Sequence, residues 1–250
     1  MTAGADTDAS RLVPNSKVNE STAGKRISSD VLNKKLTEKE IVDQCSAFLI
    51  GGLTSQLSTL SYCTYELAVN SDIQDRLVAE TREAFNEHNG DIDYDTLCGL
   101  PLLDAVISET LRKYPADVRL KRVAEEDVVL SAGSGDGSTL RIEKGVMVEI
   151  PVYAIQHDPD YYPDPFAFRP DRFMRPNVAN ITPYTHFPFG SGPRQCVAMR
   201  FALVQVKLLV AKMLQQFRFY AVPDTDIPLV FIPHPFQLKA KRIVVGVKNR

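Results

Sequence analysis

The sequence predicts a mainly α-helical fold with small β-sheets. Four stretches place apolar residues at helical spacing, and between and after them lie short runs of β-branched and aromatic residues bounded by glycine and proline. The chain of 250 residues is 44% hydrophobic with a net charge of −2, so it can bury a sizeable core and has no basic excess to favour nucleic acid. No apolar run approaches the roughly 20 residues that a membrane span needs.

The N-terminal segment differs in composition from the rest of the chain. Residues 1–36 are rich in serine, threonine, asparagine, aspartate and lysine and contain few large apolar residues. Because such a segment has little apolar surface to bury, we expect a polar leader or linker there, followed by one domain over residues 37–250.

The longest predicted helix begins at a capping box over residues 37–40 and continues to about Asn70. Residues 48–53 are apolar on nearly all sides, as in a helix that threads the centre of a domain. Gly51 and Gly52 stand in its middle, where each glycine costs about 1 kcal/mol relative to alanine. They indicate either close packing against a neighbouring element or a groove in which a ligand touches the backbone.

Two further helices are predicted over residues 71–88 and 101–113, the second with proline in its first turn. Glu109 and Arg112 stand three residues apart on one face of the second helix. On an exposed helix such a pair contributes only about 0.2–0.5 kcal/mol, so by itself it indicates no chemistry.

Short strands are expected on both sides of the last helix. A basic cluster of Arg119, Lys121 and Arg122 precedes the first of them and, taken by itself, indicates a solvated patch. A loop rich in glycine and serine is predicted at residues 131–138. The predicted strands cover residues 128–130, 140–142, 146–150, 217–220, 229–232 and 238–247.

The most informative stretch is the loop that leads into the last helix. Prolines and glycines over residues 188–193 exclude regular structure, and helical spacing begins just after Cys196. A cysteine at a helix N-terminus favours the thiolate, which is a metal ligand or a nucleophile, although a buried free cysteine is the alternative. Gly190 and Gly192 allow a ligand to approach the backbone, and Arg194 supplies a cation for a carboxylate or phosphate.

This loop resembles the haem-binding loop of the cytochrome P450 superfamily, whose pattern is Phe-x-x-Gly-x-x-x-Cys-x-Gly with an arginine two positions before the cysteine. Ala198 stands where the pattern has its last glycine. The resemblance implies that Cys196 is the axial thiolate ligand of haem b iron and that the other matched positions shape the cofactor-binding loop. The matched positions are Phe189, Gly192, Arg194 and Cys196.

The long first helix resembles the distal helix of that family, whose pattern Ala/Gly-Gly-x-Asp/Glu-Thr-Thr/Ser lines the oxygen-binding pocket. Residues 51–53 match its first half, whereas Thr54 occupies the acidic position and Ser55 the threonine position. The resemblance implies that the Ser55 hydroxyl holds oxygen or water. Thr54 performs no acid–base chemistry near neutral pH, so the carboxylate that is thought to feed protons in the family is absent.

Glu109 and Arg112 resemble the family's Glu-x-x-Arg pair, which meets an arginine in a Pro-Glu-Arg-Phe-like run. Pro170-Asp171-Arg172-Phe173 is such a run. The resemblance implies a buried structural network of Glu109, Arg112 and Arg172. It also implies that Arg122, with Arg194, neutralises the haem propionates, as in the animal drug-metabolising group that includes thromboxane synthase.

The resemblance covers the chain from about residue 37 onward, so the sequence looks like the C-terminal half of a cytochrome P450. It implies a haem-thiolate monooxygenase that inserts one oxygen atom from O2 into a small apolar substrate, with electrons from an NADPH-dependent diflavin reductase. Arg194, Arg200 and Lys207 are expected to form the docking face for that reductase. Animal members lie on the cytoplasmic face of the endoplasmic reticulum membrane through an N-terminal anchor, which we expect to be absent here.

Two other interpretations stay open. Thr54 and Ser55 are compatible with a haem-thiolate isomerase or dehydratase that rearranges an oxygenated lipid, because external electrons and proton delivery matter less for such a reaction. The second interpretation is a truncated, catalytically inactive fragment whose uncovered apolar surfaces favour aggregation.

Overall fold

The structure is a computed structural model that describes residues 35–87, 90–131, 133 and 137–250. The predicted leader lies almost entirely outside the described residues, as do His88 and part of the predicted loop over residues 131–138. Contacts divide the chain into two units, residues 1–54 and residues 55–250. Among the described helices, none has both the length and the apolar character needed to cross a membrane.

Helices account for about half of the described chain. All four predicted helices are confirmed. The helix over residues 101–113 has the predicted bounds. Two short helices of six and five residues were not predicted. The α-helices are α1 (Glu38–Val69), α2 (Ser71–Glu87), α3 (Tyr94–Gly99), α4 (Pro101–Lys113), α5 (Val152–Gln156) and α6 (Met199–Gln216).

Helix α1 begins at the predicted capping box. The backbone N–H of Thr37 donates to the Glu40 carboxylate at 2.8 Å, and the Glu40 N–H donates to the Thr37 hydroxyl at 3.2 Å. The expectation that residues 48–53 are buried is wrong for this chain, since Phe48 and Leu49 are 66% and 69% exposed. Burial along α1 begins only at Thr59, where the helix joins the core.

The core of residues 55–250 forms where α2, α4 and α6 pack together. Leu77, Leu103 and Leu214, one from each helix, are fully buried in a single apolar cluster. Packing of α4 between two other helices explains why its hydrophobic side chains are buried on more than one face.

A buried glutamine attaches the last sheet to this core. The Gln74 carboxamide of α2 donates to the carbonyl of Phe219 at 2.9 Å and accepts the N–H of Phe219 at 3.0 Å. It also donates to the carbonyl of Leu67 at 2.7 Å. The bonds pair the polar backbone of a strand that is buried against the helix.

The described strands form four two-stranded antiparallel sheets. The strand over residues 120–123 was not predicted. The single strand predicted over residues 238–247 is instead two strands, one over residues 239–240 and one that begins at residue 246. Two-stranded sheets gain little stability by themselves, and Gln74 of α2 attaches the strand over residues 217–220 to the core. The pairs are β1 (Leu120–Val123) with β4 (Met147–Ile150), β2 (Val128–Ser131) with β3 (Thr139–Ile142), β5 (Phe217–Tyr220) with β8 (Gly246–Asn249), and β6 (Phe231–Ile232) with β7 (Lys239–Ala240).

Candidate functional site

The cysteine loop, residues 187–198, is closed by its own backbone hydrogen bonds. The N–H of Cys196 donates to the carbonyl of Phe189 at 2.9 Å, and the N–H of Gly190 donates to the carbonyl of Phe187 at 2.9 Å. Gly190 and Gly192 have φ values of +73° and +76°, in the left-handed region that side chains disfavour. The two glycines therefore set the path of the loop.

Cys196 lies two residues before Ala198, the N-cap of α6, and its thiol is free and exposed. The backbone N–H groups and the dipole of α6 favour a negative charge at this end of the helix. Phe189 is partly buried against the core cluster and anchors the start of the loop. The alternative of a buried structural cysteine is excluded by the exposure of the Cys196 side chain.

Arg122 differs from its basic neighbours. Arg119 and Lys121 form ion pairs with Glu149 at 3.2 and 2.9 Å. The Arg122 guanidinium donates only to the carbonyl of Lys121, at 2.7 Å, and has no carboxylate partner among the described residues. The alternation of side chains along β1 explains the difference, because Arg122 points to the face opposite to that of Arg119 and Lys121.

The face of β1 that carries Arg122 is next to the cysteine loop. Leu120, two residues earlier on the same face, places its Cδ1 atom 3.8 Å from the position that a Cβ atom on Gly190 would occupy. Arg194, within the loop, is exposed and also has no acidic partner in the described part of the chain. The Cys196 thiol is a soft ligand that suits iron, and the guanidinium groups of Arg122 and Arg194 suit carboxylates. Together these residues fit an iron-containing group that carries carboxylates at its edge.

The predicted distal residues lie on the middle of α1. The Thr54 hydroxyl donates to the carbonyl of Ile50 at 2.8 Å, so its proton is used within the helix. Ser55 is half-buried, and its carbonyl accepts the hydroxyl of Thr59 at 3.0 Å. No acidic residue occurs in the sequence between Asp43 and Glu66. This stretch of helix therefore offers hydroxyl groups and no carboxylate.

Glu109, Arg112 and Arg172, which we call the Glu109 network, are brought together as the sequence implied. The carboxylate of Glu109 accepts two hydrogen bonds from Arg112, at 2.7 and 2.9 Å, and both side chains are fully buried. The Nε atom of Arg172 lies 3.4 Å from the same carboxylate, and its side chain is 12% exposed. The pairing of Glu109 with Arg112 is bidentate and charge-assisted, which is the strong form of this interaction.

The Glu109 network also holds the chain that follows α5. Arg112 donates to the carbonyls of Gln156 and Pro165, each at 2.7 Å. Arg172 donates to the carbonyl of Asp164 at 2.8 Å, and the backbone N–H of Arg169 donates to Glu109 at 2.9 Å. These bonds tie α4 to the segment that precedes the cysteine loop.

Lys207 does not belong to an exposed docking face, contrary to the expectation from sequence. Its side chain is buried on α6, and its ammonium group pairs with Asp104 at 2.8 Å and donates to the carbonyl of Cys98 at 3.4 Å. Arg200 and Arg194 are exposed. Helical spacing places Lys207 with Val210 and Leu214 on the buried side of α6, but nothing in the sequence identifies its partner on α4.

His157, beside Asp158, forms no acid–base pair. Its Nδ1 atom lies 2.8 Å from the carbonyl of Tyr153, and its ring stacks on the Tyr153 ring at a centroid distance of 3.9 Å. Burial lowers the pKa of His157 to about 4, and burial lowers the pKa of His186, which packs against Phe173, to about 4 as well. Both histidines are therefore neutral structural residues near neutral pH.

These two histidines predict a loss of stability in mild acid. The unfolded chain takes up their protons near the ordinary pKa of about 6.5, whereas the folded chain resists protonation down to about pH 4. The free energy of unfolding should therefore fall as the pH decreases from about 6.5 to 4, by on the order of 1–3 kcal/mol for each histidine. Denaturation curves should show a shallower pH dependence in His157→Phe, and an unchanged dependence would contradict the assignment.

Comparison with known proteins gives one consistent result. A family model described as Cytochrome P450 matches residues 16–247. The chain is 41% identical over 221 residues to cytochrome P450 3A2 of Rattus norvegicus and 39% identical over 218 residues to cytochrome P450 3A7 of Homo sapiens. These matches cover 88% and 87% of this chain but 42% of each relative. The chain thus spans less than half the length of the curated relatives it matches.

Proposed function

The chain belongs to the cytochrome P450 family, whose members hold haem b iron through a cysteine thiolate, and we propose on that premise that this protein is a haem-thiolate monooxygenase. Its reaction would insert one oxygen atom from O2 into a small apolar organic substrate. The observation that carries the proposal is the exposed thiol of Cys196 at the N-terminus of α6, in a loop that its own hydrogen bonds hold closed.

Each candidate site residue has a separate task in this proposal. When bound, haem b supplies the redox-active iron, and electron donation from the cysteine sulfur favours cleavage of the O–O bond. Cys196 would hold the iron as thiolate. Arg122 and Arg194 would bind the propionates through charge-assisted hydrogen bonds, for which both guanidinium groups are available. Ser55 would offer its hydroxyl to water or dioxygen on the distal side.

The proposed partners follow from the same reaction. Two electrons must come from a donor, and we propose an NADPH-dependent diflavin reductase. Of the three cations expected to contact it, Arg194 and Arg200 are exposed, whereas Lys207 is buried. Because Arg194 is assigned to a propionate, Arg200 is the cation that suits the role. The proposed location is the cytoplasmic face of the endoplasmic reticulum membrane.

One observation favours a second candidate function, a haem-thiolate isomerase or dehydratase acting on an oxygenated lipid. Thr54 replaces the family's acid, and its hydroxyl proton is bound to the carbonyl of Ile50 at 2.8 Å. A reaction that rearranges oxygen atoms already present in the substrate needs no external electrons and no proton relay to dioxygen. Such chemistry would tolerate Thr54 better than monooxygenation does.

Turnover with and without electrons separates the two candidates. Product formation that requires NADPH, reductase and O2 is expected for the monooxygenase. Turnover of a lipid hydroperoxide without reductant would instead support the isomerase. Haem-loaded protein that catalyses neither reaction under these conditions would contradict both candidates and support the inactive fragment.

A further inference from the structure

Gln156 connects the Glu109 network to the backbone that leads into the cysteine loop. Its side chain is fully buried, and its carboxamide nitrogen donates to the carbonyls of Leu111 and Arg112 at 3.2 and 2.9 Å. Its carboxamide oxygen accepts the backbone N–H of Phe187 at 3.3 Å. Its own carbonyl accepts a hydrogen bond from the Arg112 guanidinium at 2.7 Å. A single side chain thus pairs the end of α4 with the first residue of the cysteine loop.

From Phe187 the hydrogen bonds continue to the cysteine. The carbonyl of Phe187 accepts the N–H of Gly190 at 2.9 Å, and the carbonyl of Phe189 accepts the N–H of Cys196 at 2.9 Å. If the loop moved away from Gln156, it would leave a buried acceptor and the Phe187 N–H unpaired, which is unfavourable. This cost favours one position of the loop relative to α4.

We propose that Gln156 is a positioning residue for the cysteine ligand. Its carboxamide nitrogen donates to the end of α4, and its carboxamide oxygen accepts from the cysteine loop. The carboxamide thereby holds the loop in a fixed position relative to the Glu109 network without burying a charge. The proposal rests on the proposed haem-binding function of Cys196. The sequence offered one sign of it, since Gln156 stands four residues after the buried Val152 on α5, at a position where an apolar residue would continue the buried face.

The test compares Gln156→Met with Gln74→Met in the full chain. Both glutamines are fully buried, donate to two carbonyls and accept one backbone N–H, and Gln74 also accepts a hydrogen bond from the Arg250 guanidinium at 3.2 Å. Methionine keeps the volume of the side chain and removes the hydrogen bonds, so Gln74→Met should lose at least as much stability as Gln156→Met. Only Gln156→Met should accelerate amide hydrogen exchange at Phe187, Gly190 and Cys196, by about tenfold relative to Gln74→Met.

A second readout applies to the haem-loaded, reduced and CO-treated proteins. Gln74→Met should keep the red-shifted Soret band of thiolate-ligated haem, whereas Gln156→Met should convert part of it to the band of haem without thiolate. Equal exchange at the three amides in both variants, or an unchanged share of thiolate-ligated haem in Gln156→Met, would overturn the proposal. If the wild-type chain gave no thiolate band, the proposed function would fail, and the exchange rates would still decide whether Gln156 positions the loop.

Discussion

Replacement of Glu109 by alanine is expected to lower the free energy of unfolding by about 3–5 kcal/mol. The Glu109 carboxylate bonds Arg112 at 2.7 and 2.9 Å and lies 3.4 Å from Arg172. Its removal leaves two largely buried guanidinium groups without a counter-charge, in a region where water cannot replace it. The loss is a large part of the roughly 5–15 kcal/mol that stabilises a typical domain. Denaturant titration followed by circular dichroism measures it.

Glu149→Ala is the matched control. Glu149 also stands between two cations, Arg119 and Lys121, but its side chain is 39% exposed. Surface ion pairs contribute about 0–1 kcal/mol, so the same deletion should be nearly neutral there. Equal losses in the two variants would contradict the view that burial makes the Glu109 network essential to the fold.

Replacement of Cys196 by serine is expected to abolish thiolate ligation of haem and leave the fold intact. A serine hydroxyl stays protonated near neutral pH and is a poor ligand for iron. The Cys196 side chain is exposed, and the loop is closed by its backbone N–H, which serine retains. The free energy of unfolding of the haem-free chain should therefore change by less than about 0.5 kcal/mol.

Haem titration followed by absorbance measures the loss of ligation, with Cys45→Ser as the matched control. Cys45 is also exposed, but it lies on α1. Cys45→Ser should bind haem as the wild-type chain does. Thiolate ligation that survived in Cys196→Ser, or that disappeared in Cys45→Ser, would refute the assignment of the ligand.

Elements with local signals could be predicted from the sequence. Helix α4 has Pro101 in its first turn and Arg112 and Lys113 in its last, and Pro115 follows. These signals set both of its ends. The cysteine loop also carries a local signal, because its glycines and prolines exclude regular structure. The resemblance of four spaced motifs then indicated the family, which the comparison confirmed.

Features that depend on distant partners could not be predicted. Strand β1 reads Leu-Lys-Arg-Val and becomes a strand only because β4 pairs with it. Helical spacing places Lys207 on the buried side of α6, but the sequence does not identify Asp104, on another helix, as the partner that allows its burial. The Glu66 carboxylate at the end of α1 binds Lys113 at 2.7 Å and the hydroxyl of Tyr114, a buried cluster with no local pattern. The pairing of β1 and the burial of the two charged groups are properties of the tertiary fold.

Absorbance of the reduced, CO-treated chain after loading with haem tests the central claim most directly. The claim is that Cys196 binds haem iron as thiolate within the loop that its own hydrogen bonds close. The wild-type chain should show the red-shifted Soret band of thiolate-ligated haem. A chain that binds haem and yet shows only the band of haem without thiolate, or a chain that retains no haem, would contradict it.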